Sequence, residues 1–267
     1  MSVNAGKEWT FNTVAASYAK IRPGYPDELY RTLFSYQPAG PACRAVEIGI
    51  GGGQATLPVL ETGCAVTAVE YGDQLARLCR EKFKSYPGFS VLTGRFEEVS
   101  LPENSFDLVY SAAAFHWIPE EIGYTKVFRL LKPGGAFARF ATHPFRAKDN
   151  PELFEAINRV YAKYYYTYHK DIKQPEKIRE YTEEQAADRA KIAEKYGFTD
   201  VQYALFARTR TLSAGEYRML IGTYSDHITI EEGIREKFFD AIEDVISLYG
   251  GTISISDTID LQLARKP

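Results

Sequence analysis

An apolar run that ends in an acid and turns straight into a cluster of glycines constrains this chain more than any other feature. The stretch is VEIGIGGGQATL, residues 46–57, with four glycines in five residues. Glycines so placed let a ligand approach backbone N–H groups at the start of a helix, the way α/β folds hold nucleotide-like molecules. No Gly-Lys-Ser/Thr follows, which excludes a phosphate loop. The dinucleotide fingerprint needs glycine at relative positions one, three and six; Gly49 and Gly51 fill the first two, but Gln54 stands at the sixth. The spacing that fits is G-x-G-x-G, over Gly49, Gly51 and Gly53. Glu47 adds an electrostatic argument. A carboxylate repels a neighbouring pyrophosphate, more strongly in a partly buried cleft than in water, so a ligand with positive charge is expected. Glu70 ends the next apolar run, 23 residues on (70 − 47), where an acid accepts hydrogen bonds from ribose hydroxyls.

Around this loop the first 140 residues alternate strand and helix signals. Apolar strands are expected at 44–50, 64–70, 89–94, 105–113 and 136–142. Helices follow from 53, from 73 with Asp73 placed to cap, and from Pro119 to Leu131, where KPGG at 132–135 stops the chain. That order implies an α/β fold, a doubly wound parallel sheet with right-handed crossovers. After His143 the pattern changes. Residues 149–198 read as helical, polar and tyrosine-rich; strand character returns at 201–212, helices near 213–222 and 231–248, and an alternating strand closes the chain, with a hairpin-like return to the sheet edge expected. The expected division is a cofactor-binding core with an N-terminal lid at 1–142, a helical cap insertion at 143–200, and the remainder of the sheet at 201–267.

Composition narrows the partners. With 32 basic and 35 acidic residues the net charge is −3, which offers nothing to nucleic acid or an anionic membrane surface. Cys43, Cys64 and Cys79 show no CxxC spacing and read as thiols of a reducing compartment. The first residues lack the basic and apolar segments of a secretory signal, and no apolar run is long enough for a membrane span; the cytoplasm is the expected location. His143, His169 and His227 are scattered without metal-ligand spacing, so no metal centre is expected.

A ligand with a cationic centre and a ribose describes S-adenosylmethionine, and here the chain resembles the class I S-adenosylmethionine-dependent methyltransferases. The resemblance is carried by VEIGIGGGQATLPVL, VTAVEYGDQLA, GRFEEVSLPENSFDLVYSAAAFHWI and RLLKPGGAFARF, in the family's order. FNTVAASYAKIRPGYPDELYRTLF looks like the small-molecule branch related to trans-aconitate and type-11 methyltransferases. The resemblance covers residues 11–142 well and the C-terminal third loosely. It implies a Rossmann-like sheet of seven strands whose last runs antiparallel. It also implies that Glu47, Gly49, Gly51 and Gly53 line the methionine end of the cofactor, that Glu70 holds the ribose beside Tyr71, that Phe96 and Glu97 meet the adenine, and that Ser111 approaches through its backbone. Tyr18 and Arg22 would belong to a lid, with Arg22 pairing a carboxylate of the cofactor or the substrate.

Methyl transfer is a displacement at a carbon already activated by the sulfonium, so positioning carries much of it and a base is needed only when a proton must leave. His116, just past the fourth strand, is the general-base candidate, weighed equally against a structural role. Trp117 reads as core, and the five tyrosines between Tyr161 and Tyr168 read mostly as packing, with a planar acceptor pocket as the functional alternative. The expected function is methyl transfer from S-adenosylmethionine to a small-molecule acceptor. The rivals are a dinucleotide-dependent oxidoreductase and a non-catalytic module that binds the same cofactor. No Asn-Pro-Pro-Tyr/Phe or Pro-Cys motif follows the fourth strand to suggest a nucleic-acid methyltransferase.

Overall fold

The computed structural model describes residues 9–146, 150–174 and 180–267. Its strands are β1 (Arg44–Ile48), β2 (Ala65–Glu70), β3 (Phe89–Thr93), β4 (Phe106–Ala112), β5 (Leu131–Arg146), β6 (Thr199–Ser213) and β7 (Thr252–Arg265). They form one sheet in the order β3-β2-β1-β4-β5-β7-β6. Strands β1 to β5 pair in parallel, and β7 runs antiparallel to both β5 and β6. The closing strand therefore inserts between its two neighbours, and β6 takes the edge.

Helices α1 (Thr10–Thr13), α2 (Ala15–Ile21), α3 (Asp27–Tyr36), α4 (Leu57–Glu61), α5 (Asp73–Lys82) and α6 (Glu120–Leu130) belong to the first half. The second half holds α7 (Pro151–Tyr168), α8 (Glu183–Lys191), α9 (Ala214–Ile221), α10 (Ser225–Ile228) and α11 (Glu232–Leu248). Apolar runs such as RAVEI bury residues on both faces of the sheet, as parallel strands covered by helices must. One core joins Leu29, Leu33, Val59, Ala76 and Cys79 of α3, α4 and α5 to Ala45, Val66 and Tyr110. The opposite core joins Tyr124 and Val127 of α6, with Ala193 and Phe198, to Val46, Val109 and Phe137. The order turns about β1 and β4, so the crevice beyond their carboxyl ends is where such a sheet places its ligand.

Past that crevice the sheet becomes a long ribbon. Pairing of β4 with β5 stops at Phe140, whereas β5 continues against β7 to Arg146, and β6 and β7 pair out to Ser213 and Thr252. A third apolar cluster sits on this extension: Leu153, Ile157, Leu220, Phe238, Ile242 and Ile246 pack with Ile253 and Ile255 of β7. Tyr161, Tyr164 and Tyr165 set their rings against Phe238 in the same cluster. The tyrosine run thus serves chiefly to pack α7 on α11.

Several expectations are corrected. KPGG does not merely stop α6; Leu131 begins β5, and Gly134 N–H donates to Lys266 O at 2.8 Å, so the segment joins the sheet. Asp73 is the first residue of α5 after an N-cap at Gly72, and its carboxylate accepts from Asn12 at 2.7 Å instead of capping. The boundary set at 142 falls inside β5. Within 143–200, α8 and the turn 192–196 pack against the sheet layer and α6, not over the crevice; residues 147–149 and 175–179 lie outside the described residues.

Candidate functional site

The chain leaves β1 through three glycines in the left-handed region, Gly49 (φ 70°), Gly51 (φ 55°) and Gly53 (φ 73°), where a side chain would be strained. Space forbids one as well. A Cβ on Gly49 would stand 2.4 Å from the Cβ of Ala114, and one on Gly53 2.5 Å from the Phe83 ring. The loop's polar groups are held from several sides. Gly49 N–H donates to Val69 O at 2.9 Å, Cys79 Sγ to Gly51 O at 3.2 Å, and Lys82 Nζ to Gly52 O at 2.8 Å. Gly51 N–H donates to Glu70 Oε2 at 2.9 Å, and Gly72 N–H to Glu70 Oε1 at 2.8 Å. Burial raises the Glu70 pKa, and those amides oppose the rise. Each carboxylate oxygen keeps a lone pair for a further donor.

Two cavities meet at this loop. The first, about 800 Å³ with its open mouth included, lies between Glu70, Tyr71, Phe96, Glu97, Trp117 and the glycines. The second, about 890 Å³, is bounded by Arg22, Tyr25, Gln54, Arg210, Tyr224 and Asp257. Tyr18, Gly49, Gly51, Ala112 and Ala113 line both. Ala113 marks the junction with φ 54°, a left-handed conformation unusual for a residue with a Cβ, and its N–H donates to Phe140 O at 2.8 Å. The N-terminal segment roofs the junction. Phe11 contacts Tyr18 and Trp117 edge-on at 5.6 and 5.7 Å. Arg22 lies 5.0 Å from the Tyr18 ring centre and 4.7 Å from that of Tyr224, and donates to Thr223 Oγ1 at 2.9 Å and Thr223 O at 2.8 Å. Among the described residues no carboxylate pairs with it.

Against this geometry stand the comparisons with known proteins. Residues 46–139, which include the loop, Glu70 and the strand edge at Ala112–Ala114, match the family model of the methyltransferase domain. That segment is similar to a methyltransferase domain. A protein of Mycobacterium tuberculosis named as an uncharacterized methyltransferase is 33% identical over 126 residues, 47% of this chain and 49% of its own length. The chain thus spans about half the length of the curated relatives it matches at this identity. A provisionally named type II methyltransferase from Anaeromyxobacter dehalogenans shares the fold with a TM-score of 0.61 at 20% identity, over 91% of this chain and 97% of that one. Phosphoethanolamine N-methyltransferase 2 of Haemonchus contortus, solved with phosphomonomethylethanolamine and S-adenosylhomocysteine, gives 0.53 at 18%, over 96% and 57%.

The expected site residues divide between the two cavities and the wall behind them. Tyr18, Gly49, Gly51, Glu70, Tyr71, Phe96 and Glu97 line the first cavity, and Arg22 lines the second. Glu47, Gly53, Ser111 and His116 line neither. Glu47 is fully buried beneath the loop, where its Oε2 accepts from Thr56 Oγ1 at 2.7 Å and Tyr110 OH at 2.8 Å. Burial pushes its pKa up to about 8, so at neutral pH it is mostly a neutral acid bracing the loop. Glu47 therefore offers no fixed negative charge to a ligand, contrary to the expectation from its position before the loop. Ser111 Oγ donates to Ile48 O at 2.9 Å behind the strand edge. His116 turns into a separate small hollow with Arg139, Arg189, Asp260 and Gln262. Desolvation, with the Arg189 and Arg139 charges, brings its pKa down to about 4. Sequence reasoning missed Phe11, Ala112–Ala114, Tyr25, Tyr224, Arg210 and Asp257. The last two carry a signal only once the register of β6 and β7 is known. Among the described residues no group of three or more His, Cys, Asp or Glu side chains is arranged to hold a metal, and no helix is long and apolar enough to cross a membrane.

Proposed function

We propose that this chain transfers a methyl group from S-adenosylmethionine to a small-molecule acceptor, with the cofactor in the first cavity and the acceptor in the second. The observation that carries the reading is Glu70. A buried carboxylate is aimed into the first cavity from the end of β2 and held by two loop amides, in a cradle where a Cβ on Gly49 would not fit. This donor set suits a ribose and an adenine between Tyr71, Phe96 and Glu97. Arg22, with no acidic partner among the described residues, would receive the cofactor's carboxylate. When bound, the cofactor supplies a methyl carbon made electrophilic by its sulfonium.

The chain's own residues then position and exclude water. Phe11, Tyr18 and Trp117 cover the junction at Ala113, and Leu220 of α9 with Tyr224 walls the acceptor side. Tyr18, Tyr25 and Tyr224 are held neutral by burial, which raises each pKa, so they serve as hydrogen-bond donors and not as bases. Asp257 is occupied by arginines. The acceptor atom therefore presents a free lone pair on arrival, and catalysis is by alignment. His116, outside both cavities, takes no part.

Isothermal titration calorimetry with S-adenosylhomocysteine and with NAD tests the reading. Binding of the first and not the second is expected, with Glu70→Ala weakening it by about tenfold or more. Tight NAD binding without S-adenosylhomocysteine binding would overturn it. A cofactor-binding module without activity predicts no labelled methyl product from any acceptor pool supplied.

A further inference from the structure

The acceptor cavity carries more positive charge than its walls balance. Asp257 is fully buried on β7, opposite Arg208 in the antiparallel register with β6. Arg208 and Arg210, two apart, share one face of β6, so both reach the same carboxylate. Arg208 engages all three of its nitrogens: Nε and Nη2 donate to Asp257 Oδ2 at 3.1 and 2.9 Å, and Nη1 to Gly24 O at 2.6 Å. Arg210 donates from Nε to Oδ2 at 2.7 Å and from Nη2 to Oδ1 at 3.1 Å. Among the described residues no acceptor engages its Nη1. Of these two arginines only Arg210 lines the cavity, and Asp257 is the sole acid in that lining.

Arg22 and Arg210 in the lining and Arg208 behind it stand with a single carboxylate, Asp257, an excess of two positive charges. The cofactor's carboxylate on Arg22 would remove one. The other stays with the Arg208–Asp257–Arg210 group, whose side chains are only 20% and 16% exposed at the two arginines. A part-buried guanidinium with an unengaged edge in a cavity wall fits carboxylate or phosphate oxygens.

We propose that Arg210, fixed by Asp257 with its Nη1 edge free, is the residue that selects the acceptor by receiving an anionic group, a carboxylate or a phosphate, in the second cavity. The proposal rests on the methyl-transfer reading for what the cavity is used for, and on the arginine geometry for its charge preference. The anion is the handle by which the acceptor is held.

Calorimetry on the protein saturated with S-adenosylhomocysteine tests it, using succinate, inorganic phosphate and, as a neutral control, succinamide. Succinate or phosphate binds, more weakly as salt rises, and succinamide does not; which anion prevails tells carboxylate from phosphate. Arg210→Gln lowers anion affinity by about tenfold or more, and Arg210→Lys by less. S-adenosylhomocysteine affinity stays unchanged in both variants, which also shows that they fold. Succinamide binding as tightly as succinate, no anion-selective binding, or undiminished anion binding by Arg210→Gln would each overturn the proposal. If S-adenosylhomocysteine fails to bind the wild-type chain, the cofactor reading falls alone, and the same anion comparison on the free chain still judges Arg210.

Discussion

Two glutamates on neighbouring strands show how little separates a binding group from a brace. Glu70 ends β2, beyond the last register pair of β1 with β2, and reaches the cavity; Glu47 lies inside β1, paired with Ala68. Strand alternation cannot distinguish them in the sequence, because both follow apolar runs buried on two faces. The glycine spacing was legible for a firmer reason, since positive φ and absent space each demand glycine at Gly49 and Gly53. The burial of Glu47 has a thermodynamic consequence. Its folded pKa lies near 8, above that of the unfolded chain, so the native state keeps a proton the unfolded state releases. Stability from this residue is full below the ordinary carboxylate range and is lost as pH rises toward 8 and past it. Glu47→Gln, which keeps an acceptor oxygen for Thr56, flattens that loss. Thermal melts from pH 5 to pH 9 check it; parallel curves for variant and wild type would show that Glu47 is ionised in the fold.

Among the elements, those visible in the sequence were the ones whose signal is local. All seven strands fall on apolar or alternating runs, and α9 begins at a capping box in which Ser213 accepts from Glu216 N–H while Glu216 accepts from Ser213 N–H. Removing that hydroxyl by Ser213→Ala costs about 1 kcal/mol of stability, to be read as a lower urea midpoint at unchanged slope. What stayed hidden was pairing across distance. The Arg22–Thr223 contact spans 201 residues, and Arg210 and Asp257 stand 47 apart. Neither pair shows a motif, since no short-range rule connects the end of α2 to the turn after α9, or β6 to β7 across the helices between them. KPGG was misread for the same reason: its partner, Lys266, lies at the far end.

At the scale of the whole molecule, three apolar clusters divide the work. Two clamp the sheet and hold the crevice, and the third rides on the β5–β7–β6 extension and walls the second cavity. The N-terminal segment bridges them through Arg22. Hydrogen exchange should follow that division. On adding S-adenosylhomocysteine, protection is expected to rise in residues 9–25, 49–54, 70–75 and 94–97, and to stay level within α7 and α11, whose amides are already closed by packing. Protection confined to α7 and α11 would place the ligand in the wrong cluster.

The position of β7 also orders events in time. A ribosome delivers β5 and then β6, yet neither can lie beside the other until residues 252–265 have emerged to fill the slot between them. Until then β6 has no strand to pair with, Arg208 and Arg210 lack their counter-ion, and the second cavity is without Asp257 in its wall. A nascent chain of this protein can assemble its glycine loop early, but the wall around Arg210 closes only once β7 has joined the sheet.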